Sequence, residues 1–389
     1  MEAFAFNETE EALLIATGVL FIIQQIYYWV LYNRINSHNQ SIEQNKQSFT
    51  TELPPISVII YAHDEADNLR HNLKSILEQD YPQFEVIVVT DGNADDTDDY
   101  LTMLRDQYPH LYHSFVPGSS RYISHKKLAV TLGIKASKYN WLVFTDANCQ
   151  PQSNWLKMLA RNFTPQTQIV LGYSNYERGK SWLHKRIAFD NLFTHMRHLG
   201  FALLQNPYMG IGRNLAYRKE LFYSNKGFSA HLNLLRGEDD LFVNQTANSQ
   251  NTRVETTPSS IIRMQPISRY KDWKEEKIGY ASTAHLYKGM QRYILGFETT
   301  TRIFFYGTWI ATTILGLLHQ HWFVAGIAIL LFISRTVLQA LVINRTARSL
   351  EEETRYYFSL PVFDILQPLQ SLYWKSCYLI SNKSDFMRK

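Results

Sequence analysis

Strand-like and helix-like segments alternate regularly between residues 54 and 173, and this alternation constrains the fold more than any other feature of the chain. Short apolar runs predict strands over residues 56–61, 84–89, 111–116, 141–144 and 169–173. Apolar side chains at helical spacing predict helices over residues 67–79, 126–137 and 155–163, with another starting at Thr97. Such alternation predicts an α/β fold with a Rossmann-like, mostly parallel sheet, helices on both faces and right-handed crossovers.

Acidic side chains follow three of these predicted strands. Glu65 lies just after the first strand, Asp91 ends the second, and Asp146 ends the fourth with Asn148 two residues later. Because ligands of an open parallel sheet bind beyond the carboxyl ends of its strands, we expect these side chains to face one cleft. Oxygen ligands at alternate positions suit a hard divalent cation that also holds a diphosphate. Taken singly, each could instead be a solvated turn, since Asp and Asn are common there.

Glycine-rich phosphate loops of the G-x-G-x-x-G or G-x-x-x-x-G-K-[ST] type do not occur in the sequence. A bound diphosphate would therefore need a metal ion and side-chain cations. A later segment, residues 208–214, contains Gly210 and Gly212, which allow close approach of the backbone to a ligand. Arg213 in this segment is a candidate contact for an acceptor or a phosphate.

Composition narrows the class of protein. With 45% hydrophobic and 19% charged residues among 389, the chain can bury a large core and is not disordered. The net charge is only +4 and no dense Lys/Arg tract occurs, so we expect no nucleic-acid partner. Two cysteines, Cys149 and Cys377, exclude a disulfide framework and fit a reducing compartment.

Apolar segments at both ends predict membrane helices. Residues 12–32 are uncharged, long enough to cross a bilayer, and end in a Tyr/Trp cluster. A polar linker is predicted over residues 33–51. Residues 303–318 and 322–343 predict a membrane hairpin, whereas residues 356–380 contain prolines and charges and could span, re-enter or lie in the interface.

Charge around these segments predicts the orientation. Arg345, Arg348 and Arg355 place the loop at residues 344–355 in the cytoplasm, together with the α/β domain. We therefore expect a multi-pass membrane protein, of the bacterial inner membrane and cell envelope, with its α/β domain in the cytoplasm. The predicted domains are a membrane anchor and linker over 1–50, an α/β domain over 51–300 and a membrane region over 301–389.

A long helix is predicted over residues 182–204, where apolar side chains recur every three or four residues. Basic side chains, including Lys185 and Arg197, lie mostly off that stripe. The helix could lie on a membrane surface or pack on the domain core. His195 and His198 are expected at the surface or the edge of the core rather than as ligands.

A series of motifs resembles those of family 2 glycosyltransferases, which have a GT-A fold. The motifs are PISVIIYAHDE at 55–65, Asp91, HKKLA at 125–129, TDANC at 145–149, GEDD at 237–240 and RYKDW at 269–273. They cover roughly residues 54–280 in the order and approximate spacing of the family. The resemblance implies a GT-A-type catalytic domain flanked by N- and C-terminal transmembrane helices.

The resemblance also implies roles for individual residues. Ala62, Glu65 and Asp91 would line the nucleoside pocket, and Lys126 would lie near the uracil or the diphosphate. Asp146 and Asn148 match the D-x-D pair that holds Mg²⁺ or Mn²⁺, and Asp239 matches the general base. Glu238 and Asp240, beside Asp239, are expected to raise its pKa by like-charge repulsion. Residues 269–273 match the Q-x-x-R-W element, so that Arg269 would contact the donor diphosphate and Trp273 the acceptor.

Two residues depart from the family pattern. Asn148 replaces the usual second acid, so the metal site has one negative charge fewer and we expect weaker metal binding. Asp272 stands where the family has arginine, and Arg269 where it has glutamine. Because polymer-making members commonly keep this element, the departure argues against processive synthesis.

The sequence thus predicts an inverting glycosyltransferase of the hexosyltransferase type. It would move a sugar from a nucleotide sugar, such as a UDP-sugar, to a lipid or glycan acceptor near the membrane. One alternative is a processive polysaccharide synthase. Another, of a different class, is a non-catalytic membrane scaffold that keeps the glycosyltransferase fold.

Overall fold

A computed structural model describes residues 7–91, 96–117 and 124–380. Its strands are β1 (Ile56–Ala62), β2 (Phe84–Thr90), β3 (Leu111–Phe115), β4 (Trp141–Asp146), β5 (Cys149–Pro151), β6 (Ile169–Leu171), β7 (Ser174–Tyr176), β8 (Leu215–Arg218), β9 (Thr252–Val254) and β10 (Ile262–Met264). Its helices are α1 (Glu8–Tyr27), α2 (Arg34–Glu43), α3 (Ala66–Leu77), α4 (Thr97–Arg105), α5 (His125–Ala136), α6 (Trp155–Ala160), α7 (Trp182–Leu203), α8 (Lys219–Ser224), α9 (Asp240–Thr246), α10 (Tyr270–Ala284), α11 (Gln291–Leu318), α12 (Trp322–Ser349) and α13 (Leu360–Ile380).

The main sheet has seven strands in the order β3-β2-β1-β4-β8-β6-β9. Strands β1 to β4 are mutually parallel, with Ile56 of β1 paired to Phe84 of β2 and to Trp141 of β4. Strands β1, β2 and β4 are apolar and buried because helices cover the parallel part of the sheet, whereas the edge strand β3 is partly exposed. Strands β8 and β4 are antiparallel, as are β6 and β8. The α/β fold predicted from the alternation is confirmed.

A small second sheet, in the order β5-β10-β7, begins just beyond the end of β4. Strand β5 starts at Cys149, three residues after Asp146, and pairs antiparallel with β10. Asn72 of α3 donates its amide to the carbonyl of Ala147, 3.0 Å away, and so holds the turn between β4 and β5. This turn carries Asn148 and fixes its position relative to Asp146.

Helix α7 is an interior helix, so of the two alternatives left open by the sequence the structure shows packing on the core. Charged side chains of α7 have internal partners: Arg197 Nη2 lies 2.7 Å from Glu298, and Asp190 lies 2.5 Å from Lys277 of α10. His195 and His198 are both 1% exposed and therefore belong to the core, not to its edge as predicted. Burial lowers the pKa of His198 to about 3, so this imidazole is neutral at physiological pH.

The segment after the first membrane helix is not the polar linker expected over residues 33–51. A turn of π-helix, Tyr28–Tyr32, leads into α2. Ile35 of α2 is fully buried, and its neighbour Asn36 donates to Thr346 of α12 at 2.8 Å. The prediction was wrong because it assumed that polar side chains contact water. Here they are buried and form hydrogen bonds within the protein.

Three helical segments among the described residues are long and apolar enough to cross a membrane: Glu8–Glu43, Gln291–Leu318 and Trp322–Ser349. The predicted domain boundary at residue 300 therefore falls inside α11. Polar pairs join the segments, as between Thr17 and Thr312, whose hydroxyl oxygens lie 3.3 Å apart. Helix α13, with Pro368 inside it, is not one of these three segments.

An ion network lies between the helices of this membrane region. Arg335 of α12 lies 2.8 Å from Asp364 of α13, and Arg302 of α11 lies 3.3 Å from the same carboxylate. Arg302 also pairs with Glu298. All four side chains are at most 1% exposed. Because an unpaired charge is costly in such surroundings, this network fixes α11, α12 and α13 to one another.

Candidate active site

A cleft of about 280 Å³ opens beyond the carboxyl end of β4. Its walls include Lys126, Asp146, Asn148, Gly212, Arg213, Arg236, Glu238, Asp239, Asp240, Asp272, Glu275, Glu276 and Tyr280. The structure thus brings together most of the predicted site residues, although they come from segments up to 114 positions apart in the chain (Lys126 to Asp240).

An ammonium group bridges two carboxylates at the centre of this cleft. Lys126, in the first turn of α5, places its Nζ 3.2 Å from Asp146 Oδ1 and 3.5 Å from Glu238 Oε1. Burial by itself would raise the pKa of Asp146, but the charge of Lys126 outweighs it and the pKa is lowered. Asp146 is therefore an anion at neutral pH, with an oxygen directed to the cleft.

Asp239 lies between two buried acids, Glu238 and Asp240, and is itself partly exposed at the cleft. Its Oδ2 accepts from the backbone N–H of Gly212 at 2.8 Å, and its Oδ1 accepts from the N–H of Asp240 at 2.7 Å. Burial, and then the carboxylates of Glu238 and Asp240, raise the pKa of Asp239 to about 7. A carboxylate with this pKa can accept a proton near neutral pH.

Asp240 supports the site rather than facing it freely. Its side chain is 1% exposed and accepts hydrogen bonds from Tyr287 at 2.6 Å and from Thr283. These bonds hold the first turn of α9 against α10. The side chain of Asp240 is therefore occupied by these two hydroxyl groups, and its catalytic role stays a prediction.

Asp91, at the end of β2, forms a second polar group beside the cleft. Its carboxylate accepts from Tyr61 at 3.1 Å and lies 3.0 Å from His125 Nδ1. Its N–H donates to the carbonyl of Ala62 at 2.8 Å. Ala62 as a whole is 1% exposed and its carbonyl is already bonded to Asp91, so it does not offer the predicted nucleoside contact, and Glu65 pairs with Asn68.

Helix α10 does not present the two residues predicted from its motif. Trp273 is 2% exposed and packs its ring 5.6 Å from that of Trp374, so it does not reach an acceptor. Arg269 is exposed and forms a bidentate pair with Asp272 at 2.9 and 3.0 Å; Asp272 lines the cleft, whereas Arg269 is not among its lining residues. The helix instead turns Asp272, Glu275, Glu276, Gly279 and Tyr280 to the cleft. The motif identified the right helix but the wrong face.

Arg213 is directed into the cleft, as its sequence context suggested. It is 9% exposed, and its Nη1 lies 3.2 Å from Glu276. Its Nε is buried and has no hydrogen-bond partner within the described ranges 7–91, 96–117 and 124–380. An anionic or hydroxylated ligand in the cleft would supply that partner.

Sequence reasoning missed Lys127, although its motif was recognised. The side chain is 1% exposed, and Nζ donates to the carbonyls of His231 at 2.6 Å and Leu234 at 2.8 Å. Burial lowers the pKa of Lys127 to about 8. The pair of lysines in HKKLA could have signalled two roles, because neighbouring residues of a helix point in different directions. Lys127 holds the loop that leads to Glu238 and Asp239.

Replacing Lys127 by methionine is expected to lower the free energy of unfolding by about 1–3 kcal/mol, because two buried carbonyls lose their donor. Thermal or denaturant unfolding of the detergent-solubilised protein measures this. The matched control is Lys135→Met, at an exposed position of the same helix, expected within about 0.5 kcal/mol of the wild type. Equal losses for both variants would contradict the role given to Lys127.

Comparison with known proteins agrees with the resemblance seen in the sequence motifs. Residues 57–225 match the sequence model described as glycosyl transferase family 2. Glycosyltransferase AglE of Haloferax volcanii is 32% identical over 110 residues, which are 28% of this chain and 35% of that protein. Poly-β-1,6-N-acetyl-D-glucosamine synthase of Staphylococcus epidermidis is 22% identical over 131 residues, 34% of this chain and 30% of that protein. The matches thus span about a third of these relatives.

One solved structure resembles the chain over nearly its whole length. It is the mannosyltransferase PcManGT from Pyrobaculum calidifontis, in complex with GDP-Man and Mn²⁺. The two chains superpose with a TM-score of 0.52 at 18% identity, covering 94% of this chain and 99% of the other. At this identity the likeness concerns the fold.

Proposed function

Because residues 57–225 belong to glycosyl transferase family 2 and the chain has the GT-A fold expected from its motifs, we propose that it is a membrane-bound inverting glycosyltransferase. It moves a sugar from a nucleotide sugar to an acceptor hydroxyl. The observation that carries the proposal is the single cleft in which Asp239 lies among Lys126, Asp146 and Arg213. This cleft combines a proton acceptor with groups that can hold a charged leaving group.

Asp239 is the general base of the proposed reaction. Held by two backbone N–H groups, it accepts the proton of the acceptor hydroxyl as that oxygen bonds to the anomeric carbon. The bond from the anomeric carbon to the diphosphate breaks on the opposite side, which inverts the configuration. The ammonium group of Lys126 lies in the cleft between Asp146 and Glu238. At this position it can contact the departing diphosphate.

The residues around Asp146 fit a divalent cation such as Mg²⁺ or Mn²⁺. Asp146 and Asn148 are both partly exposed at the cleft and offer oxygen ligands. Glu238 is 7% exposed, and its Oε2 has no hydrogen-bond partner in the described part of the chain, as expected of an oxygen that awaits a cation. When bound, the ion neutralises the negative charge of the diphosphate. Asn148 contributes no charge, so we expect an affinity below that of a two-acid site.

The acceptor is proposed to be lipid-linked or another glycan at the membrane surface. Helix α10, which lines the cleft, packs on α13 through a 2.9 Å bond from Lys274 to Tyr373. Helix α13 exposes Val362, Leu369 and Leu372, an apolar stripe that suits a lipid interface. The loop before α13 packs on the α/β domain, which is proposed to face the cytoplasm of the cell, as the positive-inside rule predicts.

Donor turnover in detergent tests the proposal directly. The purified chain is incubated with UDP- and GDP-sugars in the presence of Mg²⁺, Mn²⁺ or EDTA, and the released nucleotide is followed. We expect metal-stimulated release from one donor. No release from any donor, together with no nucleotide binding by calorimetry, would overturn the proposal and favour the scaffold alternative.

The pH dependence of turnover is expected to follow Asp239. Its pKa of about 7 means that the base form is lost as the pH falls, so kcat/KM should drop about tenfold per pH unit below ~7 and level off above it. Initial rates between about pH 5 and 8 with a saturating divalent ion check this. A profile that stays level across this range is incompatible with Asp239 as the base.

A processive polysaccharide synthase is a second candidate, favoured by the name of the Staphylococcus epidermidis relative. The two functions differ in product length. A single-addition enzyme gives short products when the acceptor is in excess, whereas a processive enzyme still releases long chains. Gel or mass analysis of the labelled product separates them.

A further inference from the structure

Three possible metal ligands converge at the end of the helix bundle farthest from the cleft. They are Glu10 of α1 and His319 and His321 of the turn between α11 and α12, here called the outer cluster. Helix α1 has 20 residues, about 30 Å in length, and its other end continues into the π-helical turn that packs on α7. The outer cluster is thus separated from Asp239 by most of the bundle and has no part in the proposed reaction.

The geometry of the outer cluster is specific. His319 Nδ1 lies 2.7 Å from Glu10 Oε1, and His321 Nδ1 lies 2.6 Å from Glu10 Oε2. Gln320, between the two histidines, has a φ of +60°, a left-handed conformation that non-glycine residues seldom adopt. This conformation directs both rings to the same carboxylate, although the histidines are 309 and 311 positions away from Glu10. Such strain persists only where the surroundings hold it.

Among the described residues, no lysine or arginine pairs with the carboxylate of Glu10. The residue is 0% exposed, yet its only ion-pair partners in the parts of the chain that are described are the two histidines. A buried carboxylate needs a compensating charge. Neutral imidazoles do not supply it, whereas a metal ion bound by all three side chains would.

We propose that the outer cluster is a zinc site. Two imidazole nitrogens and one carboxylate oxygen form a ligand set typical of Zn²⁺, with water completing a tetrahedron. In such a site the ligand atoms lie about 3.3 Å apart, as follows from bonds of about 2.0–2.1 Å. The three groups already lie within 4.8 Å of one another, so small side-chain rotations suffice.

The proposed ion joins the start of α1 to the α11–α12 hairpin. His319 is 45% and His321 22% exposed at the side chain, so aqueous zinc can reach them without opening the bundle. Below the cluster the same two helices are connected by the Thr17–Thr312 contact. Zinc binding should therefore stabilise the packing of the bundle without changing the cleft.

Zinc binding to the full chain in detergent tests the proposal. The protein carries a purification tag without histidines, and excess Mg²⁺ occupies the oxygen-rich cleft site. After desalting, metal analysis and competition with a chromophoric chelator give stoichiometry and affinity. We expect about one Zn²⁺ per chain, and binding at least ~10-fold weaker in His319→Ala and in His321→Ala.

The matched control is His71→Ala, which removes an exposed histidine of α3 and should leave zinc binding unchanged. A second readout is the thermal midpoint, which zinc should raise for the wild type and His71→Ala but not for His319→Ala. If the wild type retains no zinc, or if all variants retain the same amount, the proposal is wrong. Glu10 is then held by hydrogen bonds with the two imidazoles alone.

Discussion

Replacing Asp239 by asparagine is expected to lower kcat by about 10²–10⁴-fold while leaving donor binding within about threefold of the wild type. The amide keeps the size of the side chain and can still accept from the Gly212 N–H, now 2.8 Å from Oδ2. It cannot take the acceptor proton, because its oxygen is not basic at neutral pH. Donor turnover and calorimetric titration with the nucleotide measure the two effects separately.

The control for this experiment is Asp80→Asn, an exposed acid that pairs with Lys157 on the surface. It makes the same chemical change away from the cleft and should leave turnover unchanged. If Asp239→Asn turns over as fast as the wild type, Asp239 is not the base. If neither the wild type nor Asp239→Asn turns over any donor, the scaffold alternative gains support.

Replacing Asp364 by asparagine is expected to lower the free energy of unfolding by about 3–5 kcal/mol. Its carboxylate contacts Arg335 at 2.8 Å, Arg302 at 3.3 Å and the hydroxyl of Tyr306 at 2.6 Å, all in the interior of the bundle. The amide would leave two buried guanidinium groups with only Glu298 as a counter-charge. Unfolding in mixed detergent micelles, followed by tryptophan fluorescence, measures the loss.

Asp67→Asn is the matched control for Asp364→Asn. Asp67 also pairs with an arginine, Arg70 at 3.5 Å, but its side chain is fully exposed to water. An exposed pair contributes about 0–1 kcal/mol, so we expect little change. If the free energy of unfolding falls equally in Asp364→Asn and Asp67→Asn, burial does not explain the contribution of the Asp364 network to stability.

The elements of the α/β domain could be predicted because their signals are local. Apolar runs such as Ile56 to Ile60 are strands whenever both faces are buried, and the ends of β1, β2 and β4 agree with the prediction within two residues. The placement of Asp146 and Asn148 at the cleft follows from the same reasoning, since carboxyl ends of parallel strands share an edge.

Predictions about which side of a helix faces the cleft were less successful. Trp273 lies on α10 and Arg269 directly precedes it, yet the helix turns Glu276 and Tyr280 to the cleft. A rotation of 100° per residue decides which side chains reach a ligand, and that rotation depends on packing against Trp374, a residue about one hundred positions later.

Composition was equally misleading where polar residues are buried. Helix α2 and the basic side of α7 look solvent-exposed in sequence, but Asn36, Arg197 and Asp190 find partners on other helices. Such partners are distant in the chain, so no local sequence pattern predicts these contacts.

The sequence by itself determined the α/β architecture, the apolar membrane helices and the acids at the strand ends, because these depend on periodicity, length and residue type along short segments. Only the tertiary structure decided that Lys127 holds the Glu238 loop, that α7 is an interior helix and that Glu10 meets His319 and His321. Each of these depends on contacts between residues roughly one hundred or more positions apart, and the free energy of such contacts is set by three-dimensional packing.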